Sequence, residues 1–552
     1  MNYREKYEEW LHAPWIDDTS RAELAALSDE KEIEDRFYKG LDFGTGGLRG
    51  VMGAGTNRMN RYTLRQTTFA LAQYLKTECP AFWQRGVVIA HDSRLNSAEF
   101  ALETARVLAA CGVPVKIFKD LEPTPVLSFA VKYHGAAGGV VITASHNPKE
   151  YNGYKVYDRH GCQLTPKHAD ILARYVAQTP AMDQIPAQGG EDLITWIGQE
   201  TVNAFLDAVQ KQSVCCSAPE NLKVVYTPLH GSGNLPVRAI LARCGFTQVT
   251  VVPQQELPDG NFSTVASPNP EDRRALSMAL ELGRAAGADI VIGTDPDSDR
   301  IGCGVAVGGE FRLLSGNQIG ALLVSFLTSR KNLSPRAALI KTIVTGELGA
   351  AIARSRGVRV VDTLTGFKYI GEKITEYAES GELDFLMGYE ESYGYLAGTH
   401  AQDKDAVVSA MLICEMAAQC KEQGKTLFDV LGELYAEHGY FLDAQDSHTL
   451  KGKEGAERIQ AMMTSLRENE NAFEGVTQIL DYSKGIDGLP RENVMKFAAD
   501  CGEWFAVRPS GTEPKIKIYY SIKADDEESA RRRLSRRRAE IESALGLNSA
   551  GV

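Results

Sequence analysis

Short apolar runs rich in β-branched residues alternate with longer helical stretches through most of this chain. The run at residues 140–142 is typical of a buried strand, and the string Thr-Ala-Ser-His-Asn-Pro that follows it marks a loop. Strands that alternate with helices in this way indicate βαβ units with right-handed crossovers. The hydrophobic pattern therefore predicts an α/β protein whose sheets are flanked by helices.

The alternation follows the same plan three times, and each pass ends in a loop rich in polar groups. We expect three consecutive βαβ-type domains with mixed sheets around one central crevice, followed by a smaller α+β domain. The predicted strands are residues 86–89, 113–118 and 140–142 in the first pass, 223–226, 249–252 and 290–292 in the second, and 338–344, 358–361 and 385–387 in the third.

Changes in composition along the chain indicate where the domains begin and end. A linker with Pro and Gly at residues 184–190 separates the first two passes, and the pattern changes again after Gly439. The predicted divisions are a helical N-terminal extension (1–40), domain 1 (41–190), domain 2 (191–314), domain 3 (315–440) and domain 4 (441–552).

The composition is that of a globular protein, with 43% hydrophobic and 24% charged residues. The net charge of −12 argues against a nucleic-acid partner. The cysteines form no C-x-x-C pair, which indicates free thiols in a reducing compartment and no zinc site. The N-terminal residues lack the apolar core of a signal peptide, and no apolar run is long enough to span a bilayer. We therefore expect a cytoplasmic protein without a membrane partner, as a monomer or a homodimer.

A run of arginines at residues 531–538 is the most basic stretch of the chain. It follows an acidic segment, so that Glu527 can pair with Arg531 and Glu528 with Arg532 one helical turn apart. We interpret the run as a solvated helix face and not as a nucleic-acid site.

Ser145 lies at the carboxyl end of the first pass, where open α/β sheets place their ligands. After it, an Asn-Gly turn at residues 152–153 returns Lys155 towards the serine. A glycine-dense loop at residues 43–50 carries Arg49, and arginine grips phosphate in a bidentate fork. Taken alone, an ordinary turn whose Ser and Asn bond the backbone is an equally good interpretation of the serine loop.

Asp295, Asp297 and Asp299 occupy alternate positions in the loop that ends the second pass. In an extended loop alternate side chains share a face, so all three carboxylates can converge on one cation. Hard carboxylate oxygens suit Mg²⁺ or Ca²⁺. An EF-hand is excluded because its glycine position holds Arg300 and its final glutamate position holds Ala306. A solvated acidic turn remains the alternative.

Two further loops carry groups suited to a phosphorylated sugar. Glu390 and Ser392 end the third pass with a carboxylate and a hydroxyl, which match vicinal sugar hydroxyls, although a capping segment is as good an interpretation. The nearby Asp-Lys-Asp at residues 403–405 either caps the next helix or supplies Lys404 to the crevice. Residues 508–514 combine a guanidinium, two hydroxyls and a glycine, as in an anion nest, and a plain hairpin turn is the alternative there.

In combination the strings T-A-S-H-N-P, D-P-D-S-D-R, E-E-S and R-P-S-G-T-E-P resemble the α-D-phosphohexomutase superfamily of phosphoglucomutases and phosphomannomutases. The resemblance covers residues 43–520. The helical leader and the F-G-T-G-G-L-R-G loop are most similar to the branch with bacterial α-phosphoglucomutases and phosphopentomutase-like relatives. Some members have a histidine shortly after E-x-S, but Gly394 stands there, so Lys404 becomes the second acid/base candidate.

The resemblance implies a role for each matched residue. Catalysis would involve the phosphoryl carrier Ser145, the acid/base residues Lys155 and Lys404, Arg49 and His146. One Mg²⁺ would be held by Asp295, Asp297, Asp299 and an oxygen of phospho-Ser145. Substrate would contact Arg300, Gly366, Lys368, Glu390 and Ser392, and the distal phosphate would contact Arg508, Ser510, Gly511 and Thr512 on a mobile fourth domain. Nearby cations would have to depress the pKa of Lys155 for it to act as a base.

The implied reaction interconverts α-D-glucose 1-phosphate and glucose 6-phosphate through a phosphoserine enzyme and glucose 1,6-bisphosphate, which also serves as activator. Phosphomannomutase and phosphopentomutase activity are alternatives within the family. A silent sugar-phosphate-binding protein and a metal-dependent phosphatase are alternatives of other classes. The first of these would need a lost nucleophile or metal ligand, and the chain keeps Ser145 and the three aspartates.

Overall fold

The computed structural model describes residues 2–44, 47–214, 217–330, 332–450, 452–468, 473–510 and 515–547. It begins with three short helices, α1 (Tyr3–His12), α2 (Asp18–Ala25) and α3 (Glu30–Phe37). Trp10 packs edge to face on Phe37 and on Tyr62 of the first domain. These aromatic contacts anchor the helical extension on domain 1.

Domain 1 contains a six-stranded sheet whose core strands are buried. Its elements are β1 (Gly47–Val51), α4 (Arg61–Glu78), β2 (Val87–His91), α5 (Ser97–Ala110), β3 (Val115–Phe118), α6 (Thr124–Tyr133), β4 (Gly138–Ile142), β5 (Tyr151–Tyr157), α7 (Pro166–Ala177) and β6 (Ile194–Ile197). The strand order is β1-β5-β4-β2-β3-β6. Because β6 pairs with β3, this sheet extends beyond residue 190, where we predicted domain 1 to end. The polar linker carries the chain to one more strand at the sheet edge.

Domains 2 and 3 follow with sheets of five and four strands. Domain 2 contains α8 (Gln199–Gln210), β7 (Val224–Thr227), α9 (Asn234–Arg243), β8 (Val249–Val251), α10 (Pro253–Glu256), α11 (Ser277–Ala286), β9 (Ile290–Thr294), β10 (Ile301–Val307) and β11 (Glu310–Leu313). Domain 3 contains α12 (Gly316–Arg330), β12 (Ala337–Thr342), α13 (Leu348–Ser355), β13 (Arg359–Thr363), α14 (Phe367–Ser380), β14 (Asp384–Glu390), β15 (Gly394–Ala397), α15 (Ala406–Glu422) and α16 (Leu427–His438).

The three sheets share one four-stranded unit, so the predicted repeat is confirmed. Its orders are β5-β4-β2-β3, β10-β9-β7-β8 and β15-β14-β12-β13. In each unit the last three strands are parallel and the first is antiparallel to its neighbour. The pattern predicted the parallel strands, whereas the antiparallel strand was missed in every pass.

The polar loops occupy the same place in all three units, as the hairpin into the antiparallel strand. Each hairpin holds a non-glycine residue in the left-handed region, namely Ser145 (φ 53°), Ser298 (φ 51°) and Tyr393 (φ 65°). Such conformations cost about 1–3 kcal/mol and persist where the surroundings over-determine them, often at functional sites. The repeat therefore delivers three strained loops to equivalent sheet edges.

Domain 4 is an antiparallel sheet with two helices. Its elements are β16 (Tyr440–Thr449), α17 (Gly452–Glu468), β17 (Gln478–Asp481), β18 (Met495–Ala498), β19 (Trp504–Pro509), β20 (Lys515–Ala524) and α18 (Glu527–Ala544), in the strand order β16-β20-β19-β18-β17. An apolar cluster that includes Ile343 and Tyr369 of domain 3 and Trp504 and Tyr519 of domain 4 joins the two domains.

The arginine run lies on α18 and only partly matches its prediction. The Glu527–Arg531 and Glu528–Arg532 pairs are present. Arg537, however, is buried and pairs with Glu503 at 2.9 Å, so the interpretation as a solvated face is wrong for this residue. The reason is that α18 packs against the sheet and turns this position inward.

Across the described ranges, no helix has the length and apolar character needed to cross a membrane.

Candidate active site

Ser145 lies in the hairpin between β4 and β5 and is 3% exposed. Its Oγ donates to Asp295 Oδ2 at 2.8 Å and lies 3.2 Å from His146 Nδ1. The bond to Asp295 joins the domain 1 and domain 2 hairpins. Burial, followed by the positive charges of Arg300 and Arg49, holds the pKa of His146 well below its ordinary value. The imidazole beside the serine is therefore neutral.

Arg94 braces the serine loop, and sequence reasoning missed it. Its side chain is fully buried, with Nε 3.3 Å from Asp92 Oδ2. Its guanidinium donates to the backbone carbonyl oxygens of Ser145, Asn147, Pro148 and Tyr151. One charged side chain thus holds the whole turn that carries the serine. The available signal was an Asp-Ser-Arg string directly after the apolar strand β2.

Asp295, Asp297 and Asp299 are buried, and each offers an oxygen within 4.8 Å of the others. Burial and the charges of its two neighbours raise the pKa of Asp295 well above its ordinary value. Asp297 Oδ1 and Asp299 Oδ1 are buried without a hydrogen-bond partner. Buried acceptors are nearly always satisfied, so these oxygens are suited to a cation. An all-carboxylate set fits a hard divalent ion such as Mg²⁺.

Lys155 and Lys404 reach this carboxylate cluster from two domains. Lys155 Nζ donates to Asp297 Oδ2 at 2.7 Å and to Asp299 Oδ2 at 3.3 Å. Lys404 Nζ lies 3.1 Å from Asp299 Oδ2 and 2.9 Å from Asp403 Oδ1. The structure therefore brings both predicted lysines to the carboxylate cluster that could hold a metal ion.

The charge state of Lys155 differs from our expectation of a depressed pKa. Burial lowers its pKa, but Asp297 and Asp299 outweigh burial and raise it above the ordinary value. The pKa of Lys404 is raised as well, because Asp299 and Asp403 outweigh its burial. Both lysines are thus held protonated by the carboxylates that they contact.

Arg49 and Arg300 lie close enough to His146 of the serine loop for their positive charges to lower its pKa. Arg49 lies on β1 opposite Gly153 of β5, and its Nη1 donates to Asn147 Oδ1 at 3.2 Å. Arg300 Nη1 pairs with Glu271 Oε1 at 2.6 Å. Two guanidinium groups therefore lie near the serine loop, one of them paired with a carboxylate.

Glu390 ends β14 and is 7% exposed. Its Oε1 accepts a hydrogen bond from the backbone N–H of Gly366 at 3.1 Å, and burial raises its pKa to about 7. Gly366 has φ 119°, a backbone conformation that residues other than glycine rarely adopt, and it directly precedes helix α14. In the first turn of that helix, burial lowers the pKa of Lys368 to about 8. Ser392 is half-buried in the following hairpin.

Arg508 lies on β19 of domain 4, where its Nε donates to Glu492 Oε1 at 2.9 Å. Ser510 follows at the end of the strand and bonds the backbone of Lys515. Gly511 and Thr512 lie outside the described residues. Glu492 was not predicted, because it lies in the segment before β18 and meets Arg508 only when β18 pairs with β19.

Hydrogen bonds tie the domain 2 hairpin to helix α6 of domain 1 and to the domain 3 hairpin. The N–H of Thr124 donates to the carbonyl of Asp297 at 2.8 Å, and Thr124 Oγ1 donates to Asp297 Oδ2 at 2.9 Å. The N–H of Ile301 donates to the carbonyl of Tyr393 at 3.1 Å. The loops of domains 1, 2 and 3 therefore converge, as the three-pass pattern predicted.

A buried serine, a carboxylate cluster fit for a divalent cation, two lysines and two arginines meet in one crevice. Phosphoryl transfer depends on this kind of alignment and charge neutralisation. The fold and the site thus define a multidomain phosphoryl-transfer enzyme.

Comparisons with known proteins agree with this class. Models of phosphoglucomutase/phosphomannomutase α/β/α domains I, II and III match residues 40–182, 203–308 and 315–438, and the model of the C-terminal domain matches residues 454–538. The phosphoglucomutase of Staphylococcus aureus (strain bovine RF122 / ET3-1) is 38% identical over 512 residues, covering 89% of this chain and 91% of its own. That of Staphylococcus epidermidis (strain ATCC 12228) is 38% identical over 514 residues, covering 90% and 93%.

A crystal structure of a phosphoglucomutase/phosphomannomutase family protein from Burkholderia thailandensis shares the fold. It superposes with a TM-score of 0.70 at 20% identity and covers 92% of this chain and 98% of its own. The chain belongs to the phosphoglucomutase/phosphomannomutase family and is a phosphohexomutase, as the motifs predicted.

Proposed function

We propose that the enzyme interconverts α-D-glucose 1-phosphate and glucose 6-phosphate through a phosphoserine at Ser145. The observation that carries the proposal is the bond from Ser145 Oγ to Asp295 within the buried carboxylate cluster. The choice of glucose is supported by relatives named phosphoglucomutase at 38% identity. Glucose 1,6-bisphosphate is the proposed intermediate and activator.

In the first half-reaction the phosphorus–oxygen bond to Ser145 breaks and a bond to the free sugar hydroxyl forms, giving the bisphosphate. In the second, the other phosphoryl group returns to Ser145 Oγ. We assign Lys155 and Lys404 to the proton transfers at the reacting oxygens. In each half-reaction the lysine pair gives one proton to the departing oxygen and takes one back from the attacking hydroxyl, so it ends with as many protons as it began.

Asp295, Asp297 and Asp299, with an oxygen of Ser145, are the proposed Mg²⁺ ligands, supported by the two unpartnered oxygens of the cluster. When bound, the ion supplies positive charge against the transferring phosphoryl group. Arg49 and Arg300 add positive charge on the same side, and His146 packs against the serine.

The remaining predicted residues are assigned to recognition. Glu390 and Ser392 read the sugar hydroxyls, and Gly366 and Lys368 form the loop beside them. Arg508, Ser510, Gly511 and Thr512 are the proposed grip on the phosphate that is not being transferred. Water must be excluded from the site while the phosphoserine exists, because water would otherwise hydrolyse the phosphoserine.

The test is relative turnover on glucose, mannose and ribose 1-phosphates, with released inorganic phosphate measured in parallel. We expect the highest kcat/KM for glucose 1-phosphate and negligible phosphate release. A preference for mannose or ribose 1-phosphate would show that glucose 1-phosphate is not the main substrate. Stoichiometric phosphate release would contradict a mutase.

A further inference from the structure

Glu492 lies against the guanidinium that we assign to the distal phosphate. Arg508 Nε donates to Glu492 Oε1 at 2.9 Å, and the two side chains are 26% and 21% exposed. Both residues belong to domain 4, so the pair stays together if that domain moves. The guanidinium of Arg508 is therefore already paired with a carboxylate of its own domain.

The second oxygen of this carboxylate has no partner. Glu492 Oε2 is buried and makes no hydrogen bond with the described residues. Across the domain boundary, the charges of Glu492 and Arg508 both act on Lys368. The carboxylate of Glu492 is thus paired with one cation, Arg508, and acts on a second, Lys368, through its charge.

A carboxylate and a phosphate bind guanidinium with the same donor pattern. We propose that Glu492 is a positioning residue that substitutes for the distal phosphate: it occupies Arg508 when no phosphate is bound and gives way when one arrives. The inference rests on the proposed function, in which Arg508 holds the phosphate that is not being transferred. Between the half-reactions the bisphosphate must release this grip and present its other phosphate. An internal anion that stabilises the empty arginine makes the release easier.

The consequence is specific to the charge of Glu492. Glu492→Gln keeps the size of the side chain and an oxygen that accepts from Arg508 Nε, but it removes the competing negative charge. Phosphate should therefore bind more tightly to the variant. Turnover should become slower, because the bisphosphate leaves the grip less readily, so that kcat and KM fall together.

The decisive experiment is calorimetric titration of the full-length, unphosphorylated protein with inorganic phosphate. We expect a several-fold lower dissociation constant for Glu492→Gln, a value near wild type for the charge-preserving Glu492→Asp, and a several-fold higher one for Arg508→Ala. Asp446→Asn is the matched control, because the Asp446–Arg538 pair has a similar length of 2.8 Å and similar exposure but joins β16 to α18. It should leave phosphate binding unchanged.

The outcomes separate this inference from the function on which it rests. If Arg508→Ala binds phosphate like wild type, the distal grip itself is refuted. If Arg508→Ala binds weakly but Glu492→Gln binds no tighter than wild type, Glu492 only orients the arginine and the inference is overturned. Tighter binding together with lower kcat and KM for Glu492→Gln supports it.

Discussion

The two ends of the crevice are built differently. At the Ser145 end, the polar side chains are buried and bonded across domains, namely the serine, three aspartates and two lysines. At the Arg508 end, a half-buried guanidinium pairs with one carboxylate of its own domain. The first arrangement is held by groups on separate hairpins, so no single loop can shift without breaking bonds to another. The second can exchange its partner without disturbing the core.

The contrast fits what each end has to do in the proposed reaction. Phosphoryl transfer gains from charges that are fixed in place before the substrate arrives. The distal phosphate, in contrast, must be held during transfer and released so that the intermediate can turn. We therefore expect substitutions at the Ser145 end to abolish chemistry and those at the Arg508 end to alter retention.

The largest effect is expected for Ser145→Ala. Removing the acceptor of the phosphoryl group should lower kcat by several orders of magnitude, because the covalent route is lost. Turnover and thermal unfolding are measured together, with Ser325→Ala as a control for loss of a buried hydroxyl in domain 3. Substantial turnover by a folded Ser145→Ala protein would refute the phosphoserine route.

A smaller but still large effect is expected for Asp297→Asn. The neutral amide attracts a hard cation less than the carboxylate does, and it also weakens the contact with Lys155. Calorimetric titration with Mg²⁺ should show weaker binding, and activity should recover in part at high Mg²⁺. Asp272→Asn, which alters an exposed ion pair of the same domain, is the control. Equal Mg²⁺ affinity in Asp297→Asn and wild type would count against the metal site.

An intermediate effect is expected for Arg508→Ala. Loss of a charge-assisted bidentate contact costs roughly 1.5–3 kcal/mol, so kcat/KM should fall roughly ten- to over a hundred-fold. The bisphosphate should also escape more often, which makes the variant depend more on added glucose 1,6-bisphosphate. Steady-state rates across a bisphosphate series measure this dependence. Wild-type kinetics without a greater need for bisphosphate would show that the loop is only a turn.

The smallest effect is expected from pH at Glu390. Burial raises its pKa to about 7, so the carboxylate that accepts from sugar hydroxyls is lost as the pH falls through this value. Binding of the sugar hydroxyls requires the ionised carboxylate of Glu390. KM for the sugar phosphate should therefore rise below about pH 7, where this carboxylate becomes protonated. Glu390→Gln should have a high KM with a flatter pH profile, because it cannot titrate. The same rise in both proteins would assign the effect to the substrate's phosphate.

Much of the fold could be predicted because parallel strands are buried on both faces and appear as continuous apolar runs. The antiparallel strands β5, β10 and β15 were missed because each begins inside a polar loop. Ser145, the three aspartates and Lys404 could be singled out as candidates because each stands in a compact motif. Charge was harder to predict, since the pKa of Lys155 depends on aspartates of another domain.

The partners of these motifs could not be predicted. Arg94 and Glu492 act on residues distant in the chain, and only the folded sheets bring them together. Arg537 looked like one of several solvated arginines until the packing of α18 turned it inward. In each case the missing information was a contact between elements and not a property of a segment.

The most direct test of the central claim is to locate the phosphoryl group during the reaction. The protein is incubated with glucose 1,6-bisphosphate, freed of ligand, and analysed by peptide mass spectrometry before and after a chase with glucose 1-phosphate. We predict one phosphoryl group on Ser145 that disappears in the chase as glucose 1,6-bisphosphate forms. An active enzyme with an unmodified Ser145, or with a phosphoryl group there that survives the chase, would contradict the account.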